Sequence, residues 1–169
     1  MADAATAPPP RIPATGIDAE RRLVGQALTL WETLRDGRPF PSRADCTAPR
    51  VGALAPRPRV GALAPSTFLI RVSDSEDGDR VVDCGPVLRD ALGSDPVGQP
   101  VNRILPSATE RGLAFWRVAA ELKKPIADIG SFTNAAGSEV LYRSVLLPLS
   151  DDQQRIDYLL GAFSFRLAP

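Results

Sequence analysis

Apolar residues recur at spacings of three and four from Val24 through Ala27, Leu28 and Trp31 to Leu34, and Leu23 and Leu30 widen the stripe. That period predicts an amphipathic helix over about 17–36. Thr15 with Asp18 three residues on fits its start. Gly37, Pro39 and Pro41 fit its stop, because glycine accepts a left-handed cap and proline cannot continue a helix. After Ser66 the period falls to two. Phe68, Ile70 and Val72 alternate, an acidic turn follows at 74–79, and a run from Val81 to Cys84 completes a predicted hairpin. Gly85-Pro86 opens a short helix carrying Leu88 and Leu92 and closed by Gly93, after which Pro96, Gly98 and Pro100 predict an irregular segment. Ser107 and Glu110 form an S-x-x-E capping box ahead of Leu113, Phe115, Val118 and Leu122, so a longer helix is expected up to Pro125. Three further alternating runs, about 126–134, 139–149 and 155–167, predict an antiparallel meander. The order of helix, two strands, helices and three strands implies an α+β domain with one curved sheet.

The segments between these elements differ in kind. Residues 1–16 are Ala, Pro and Thr with hardly a large apolar side chain, which predicts a disordered tail. Residues 49–57 and 58–66 are a tandem duplication of Pro-Arg-Val-Gly-Ala-Leu-Ala-Pro. Two short Pro-rich copies cannot stack into a solenoid, so they read as an enlarged surface loop, whose closure entropy grows only slowly with length. The expected division is therefore a tail at 1–16, a helix at 17–37, a Pro-rich linker at 38–66 and the α+β core at 67–169.

Composition narrows the chemistry. With 169 residues there is room for one domain, and 20 basic against 20 acidic side chains leave no global field to draw nucleic acid or an anionic membrane. The absence of histidine removes the Ser-His-Asp triad, the Cys-His dyad and histidine metal sites together. Cys46 and Cys84 are too few for structural zinc and read as reduced thiols. Placing Gly78 at position six of a calcium loop puts Cys84 where a bidentate Glu belongs, so the acidic turn reads as solvated. Neither a secretory segment nor a run long and apolar enough to span a membrane is present. Arg21-Arg22 is followed by Gln26, Thr29 and Glu32, a solvated helix face rather than an export signal, and a cytoplasmic protein is expected.

The element order is that of a PAS domain, and particular words add to it. Leu30-Trp31-Glu32-Thr33-Leu34-Arg35-Asp36-Gly37-Arg38-Pro39 with Pro41-Ser42-Arg43-Ala44-Asp45, and later Tyr142 through Ser150, Asp151-Asp152 and Asp157 through Ala162, resemble the opening and ending of small single-domain PAS proteins of alphaproteobacteria. Gly85, Gly93, Asp95 and Gly98 fall between them at the expected spacing. Three features depart from the group: the extra 58–66 copy, Pro86 in place of a small hydroxyl residue, and Asp83 in place of an apolar strand residue.

The resemblance implies a five-stranded antiparallel sheet with flanking helices that cups a cavity for haem, flavin or a small metabolite, in a sensory and interaction module that dimerises through its N-terminal helix. It also implies that a signal leaves through contacts with a signalling partner. Without histidine the usual haem ligand is missing, and no Asn-Cys-Arg string supplies a flavin photosensor's cysteine; haem through Cys84 stays open, and the cofactor stays unassigned. Leu88, Leu92, Phe115, Phe132 and Val145 are the expected cavity lining, with Asp83 or Arg143 as polar anchor. Asp83 either faces solvent or serves as a polar group in that cavity. Val24, Leu28 and Trp31, with Tyr158 and Leu160, are the expected interface. Both sides of the last strand are apolar, Leu159, Phe163, Phe165 and Leu167 on one and Tyr158, Leu160 and Ala162 on the other. Its second face must therefore be covered, by the N-terminal helix together with a partner or second subunit. The competing readings are a structural adaptor whose cavity is filled by its own side chains, and a small isomerase-like enzyme using Asp83 or Asp128 as base.

Overall fold

A computed structural model describes residues 16–46, 63–104 and 115–169, the side chains of 16–21 and Phe115 excepted. The expected tail, most of the duplication and the capping box at Ser107 lie outside the described residues. Helix α1 (Gly16–Arg35) leads into an extended strap, and a hairpin of β1 (Thr67–Arg71) and β2 (Arg80–Cys84) follows. Helices α2 (Pro86–Leu92), α3 (Val101–Ile104) and α4 (Phe115–Leu122) precede β3 (Ile126–Thr133), β4 (Glu139–Leu149) and β5 (Tyr158–Leu167). The expected elements are present. The addition is α3, in the stretch whose prolines and glycine predict irregular backbone; it forms where the Val101 N–H reaches the Asp79 carbonyl, at 3.1 Å, a contact with no local signal.

The strands form one antiparallel sheet in the order β2-β1-β5-β4-β3, so the last strand in sequence sits at the centre. Register fixes the two faces, because residues directly opposite each other point the same way. Leu159, Gly161 and Phe163 of β5 share a face with Phe68, Ile70, Leu146, Ser144, Tyr142, Asp128 and Phe132. Tyr158, Leu160 and Ala162 share the other with Leu69, Leu147, Val145, Arg143, Ala127 and Ile129. Helices α2 and α4 pack on the first face through β4 and β5. Helix α1 packs on β4 and β5 from the second, where Val24 lines one pocket with Ala127, Ile129 and Arg143. The doubly apolar β5 is thus buried on both sides, and α1 supplies the cover expected from its pattern.

Local chemistry holds α1 in place. Asp36 (φ 49°) and Gly37 (φ 77°) turn the chain out of the helix. The Arg38 guanidinium then donates back to the carbonyls of Leu34 and Arg35, both at 2.9 Å, capping the negative helix end. The same guanidinium pairs with buried Asp45. The strap is stitched to the β4–β5 turn: Ser150 N–H donates to the Pro41 carbonyl (2.9 Å) and Phe40 N–H to Gln153 Oε1 (3.0 Å). The described ends of the 38–66 segment therefore pack, and Leu63 of the second repeat copy is buried against Leu30 and Leu34. The repeat was expected to stay on the surface; at Leu63 the stripe of α1 captures it instead.

Asp45 makes this strap pH-sensitive. Burial alone would raise its carboxyl, but the Ser42 N–H and the Arg38 guanidinium outweigh that and hold it down at about 2. A carboxyl depressed from its ordinary 3.8 contributes stability that is present above that value and lost as pH falls through about 2. Asp45→Asn is expected to cost on the order of 1–2 kcal/mol at pH 7, discounted because Arg38 is partly solvated. In urea melts against pH, the gap between variant and unmutated protein should close between about pH 4 and 2.

Candidate functional site

The expected cavity residues divide between the two faces. Leu88 and Leu92 of α2 and Phe132 of β3 join one core with Cys84, Tyr142 and Phe163. Arg143 and Val145 do not line that space. Phe132 lies opposite Val140, so Tyr142 and Ser144 share its face, and the alternation of β4 sends Arg143 and Val145 to the α1 side. Asp83 is exposed, and its carboxylate accepts the N–H of Cys84 (2.9 Å), which corrects its assignment as a cavity anchor in favour of the solvent-facing reading. The side chain of Phe115 lies outside the described residues.

The face turned towards α2 and α4 carries an aromatic row. Tyr142 stacks on Phe163, centroids 5.4 Å apart and planes 17° off parallel, and tilts against Phe132 at 5.9 Å. Its hydroxyl donates to Asp128 at 2.7 Å, which gives that buried carboxylate a partner. The phenol crosses β3 over Gly130, where a Cβ would stand 2.8 Å from the hydroxyl. A glycine inside a strand is a signal of such close approach, but the pairing of Tyr142 with Asp128 was not read from it. Both thiols are raised by burial, Cys84 to about 11 and Cys46 to about 12, so each is protonated at neutral pH and a poor nucleophile or ligand.

A second polar centre had no local signal. Asp79, the last residue of the acidic turn, is fully buried rather than solvated. It accepts the Trp116 indole N–H (2.7 Å), the Ser73 N–H (2.7 Å) and Arg117 Nη1 (3.3 Å to each oxygen), so it ties the β1–β2 hairpin to α4. Among the described residues no group of acidic or cysteine side chains could hold a metal ion, and no helix is long and apolar enough to cross a membrane.

The expected interface residues also separate. Trp31 is buried, its indole N–H donating to the Pro148 carbonyl (2.8 Å), and Leu160 is buried beneath the helix, so neither is offered to a partner. Tyr158 lies under the Arg43 guanidinium, 4.8 Å from the ring centre, and accepts a hydrogen bond from it. Val24 is half-buried, while Leu28 keeps 36% of its surface exposed. Between Val24 and β3–β4 lies a half-open pocket of about 170 Å³, lined by Ala127, Asp128, Ile129, Arg143 and Ser144 as well.

No protein-family model and no curated protein matches the sequence. Solved structures do. A light-oxygen-voltage (LOV) domain described in a study of a flavin analogue superposes with a TM-score of 0.50 at 14% identity, covering 73% of this chain and 87% of that one. The LOV domain of a blue-light activated histidine kinase from Erythrobacter litoralis gives 0.48 at 15%, covering 61% and 96%. A PAS domain from Colwellia psychrerythraea gives 0.48 at 17%, covering 63% and 92%. The strand order and the first of these superpositions carry the assignment: the chain has the fold of PAS and LOV domains. Identities this low extend to the fold and no further.

Proposed function

We propose that this chain, whose fold is that of PAS domains, is a non-enzymatic sensory and protein-interaction module of bacterial signalling that acts in the cytoplasm as a homodimer and hands its signal on by contact with a signalling protein. The observation that carries the reading is the docking of α1. A helix seated across β4 and β5 covers the sheet face that a PAS domain turns towards its partners, and it still presents Leu28 outward. Exposed apolar side chains on a seated helix are what an isologous contact uses. The enzyme alternative is less well supported, because Asp83 sits on the surface and Asp128 is bonded to Tyr142.

Sedimentation tests the reading. The unmutated protein is expected to run as a dimer at tens of micromolar, and Leu28→Asp as a folded monomer, because the introduced charge stays solvated in one chain and would be buried in two. A monomeric unmutated protein at that concentration overturns the dimer. The adaptor reading is supported by the aromatic row and the fully buried Leu88, side chains of the protein itself that join the core on the α2–α4 side of the sheet. Native mass spectrometry and an absorption spectrum of purified protein separate the two, since a retained small molecule belongs to a sensor and not to an adaptor.

A further inference from the structure

We propose that the pocket between α1 and the outer face of β3–β4 is a binding site for a small amphipathic carboxylate, and that its occupancy tightens α1 on the sheet. Three observations converge. First, the docking of α1 on the sheet is uneven along its length: Ala27 and Trp31 are buried in the core they share with β4 and β5, whereas Val24, one turn nearer the N-terminus, is only half-buried and faces the pocket. Second, the walls are apolar. Val24 forms one side and Ala127 and Ile129 the other, with Ile129 58% exposed. Third, Arg143 is the one cation among the lining residues. Asp128 also borders the space, but register turns its carboxylate to the opposite face, where Tyr142 binds it.

The size and chemistry select the ligand. About 170 Å³ corresponds to roughly six water volumes, room for a chain of about four to eight carbons. The guanidinium of Arg143 already makes an interaction, and a fork of five N–H donors can donate to a carboxylate as well. A ligand with its chain against Val24 and Ile129 and its head on Arg143 adds the burial that this half of α1 lacks. Because it binds only the docked helix, it stabilises docking by linkage. The consequence for signalling rests on the sensory reading above. The binding itself does not, and dimerisation is measured separately.

The test titrates hexanoate into the full chain, with hexylamine as the charge-reversed control. Saturable binding with a Kd on the order of 1 mM is expected for a ligand so small. Amide shifts should map to Val24, Ala127 and Ile129, hydrogen exchange across residues 22–30 should slow, and hexylamine should do neither. Arg143→Gln should weaken binding about tenfold. Ala127→Leu, which fills the pocket from an exposed position on the sheet, should abolish it without lowering the unfolding midpoint. Absence of saturable hexanoate binding well above the expected constant overturns the proposal. So do binding that both variants leave intact, shifts confined to the α2–α4 side of the sheet, or an equal response to hexylamine.

Discussion

Asp79→Ala is expected to destabilise the protein by about 3–5 kcal/mol, a large share of the 5–15 kcal/mol typical of a domain. The carboxylate is fully buried, and the donors of Trp116, Ser73 and Arg117 all converge on it. Truncation strands the Trp116 indole N–H inside the core and leaves Arg117, itself largely buried, without its counter-charge. Asp79→Asn should recover only part of the loss, because its amide nitrogen brings donors to a place where donors already meet. Urea unfolding followed by tryptophan fluorescence gives the magnitude, and near-UV circular dichroism reports whether Trp116 keeps its setting. A loss below about 1 kcal/mol in Asp79→Ala would show that the hairpin and α4 are held together by apolar packing alone.

Gly161→Ala comes second in severity and concerns the centre of the sheet. Gly161 pairs with Phe68 on one side and Leu146 on the other. The tip of the Phe68 ring lies over it, and an added Cβ would stand 2.1 Å from Phe68 Cζ and 2.3 Å from Cε1. Phe68 is buried and cannot swing into solvent, so the clash must push the ring into α2 or bend β5. Overpacking of this kind costs about 1–3 kcal/mol or more. The double variant Gly161→Ala with Phe68→Leu should lose less than the sum of the single losses, since leucine vacates the volume the methyl needs. Strict additivity in such a cycle would show that the ring does not press on Gly161.

These two sites mark where a linear reading stops. The boundaries of α1 and of the five strands follow from the sequence, because a period of three to four or of two, broken by Gly37, Gly93 and the turn at 135–137, is written in neighbouring residues. The cover on the outer face of β5 was legible for the same reason: a strand apolar on both sides has to be buried on both sides. The placement of Asp79 was not, since Trp116 and Arg117 lie far along the chain and an acidic turn gives no sign that they will close over it. Nor was the side on which Arg143 and Val145 would fall. Alternation says that they share a face, but only the pairing of Phe132 with Val140 says which one. Trp31 shows the same division, as its place in an apolar stripe was evident while its partner, the carbonyl of Pro148, comes from β4. Local periodicity and turn chemistry are determined by short stretches of sequence. Faces, registers and buried polar partners are decided when distant segments compete for the same interior volume and the same hydrogen bonds, and only the tertiary structure records which of them succeeded.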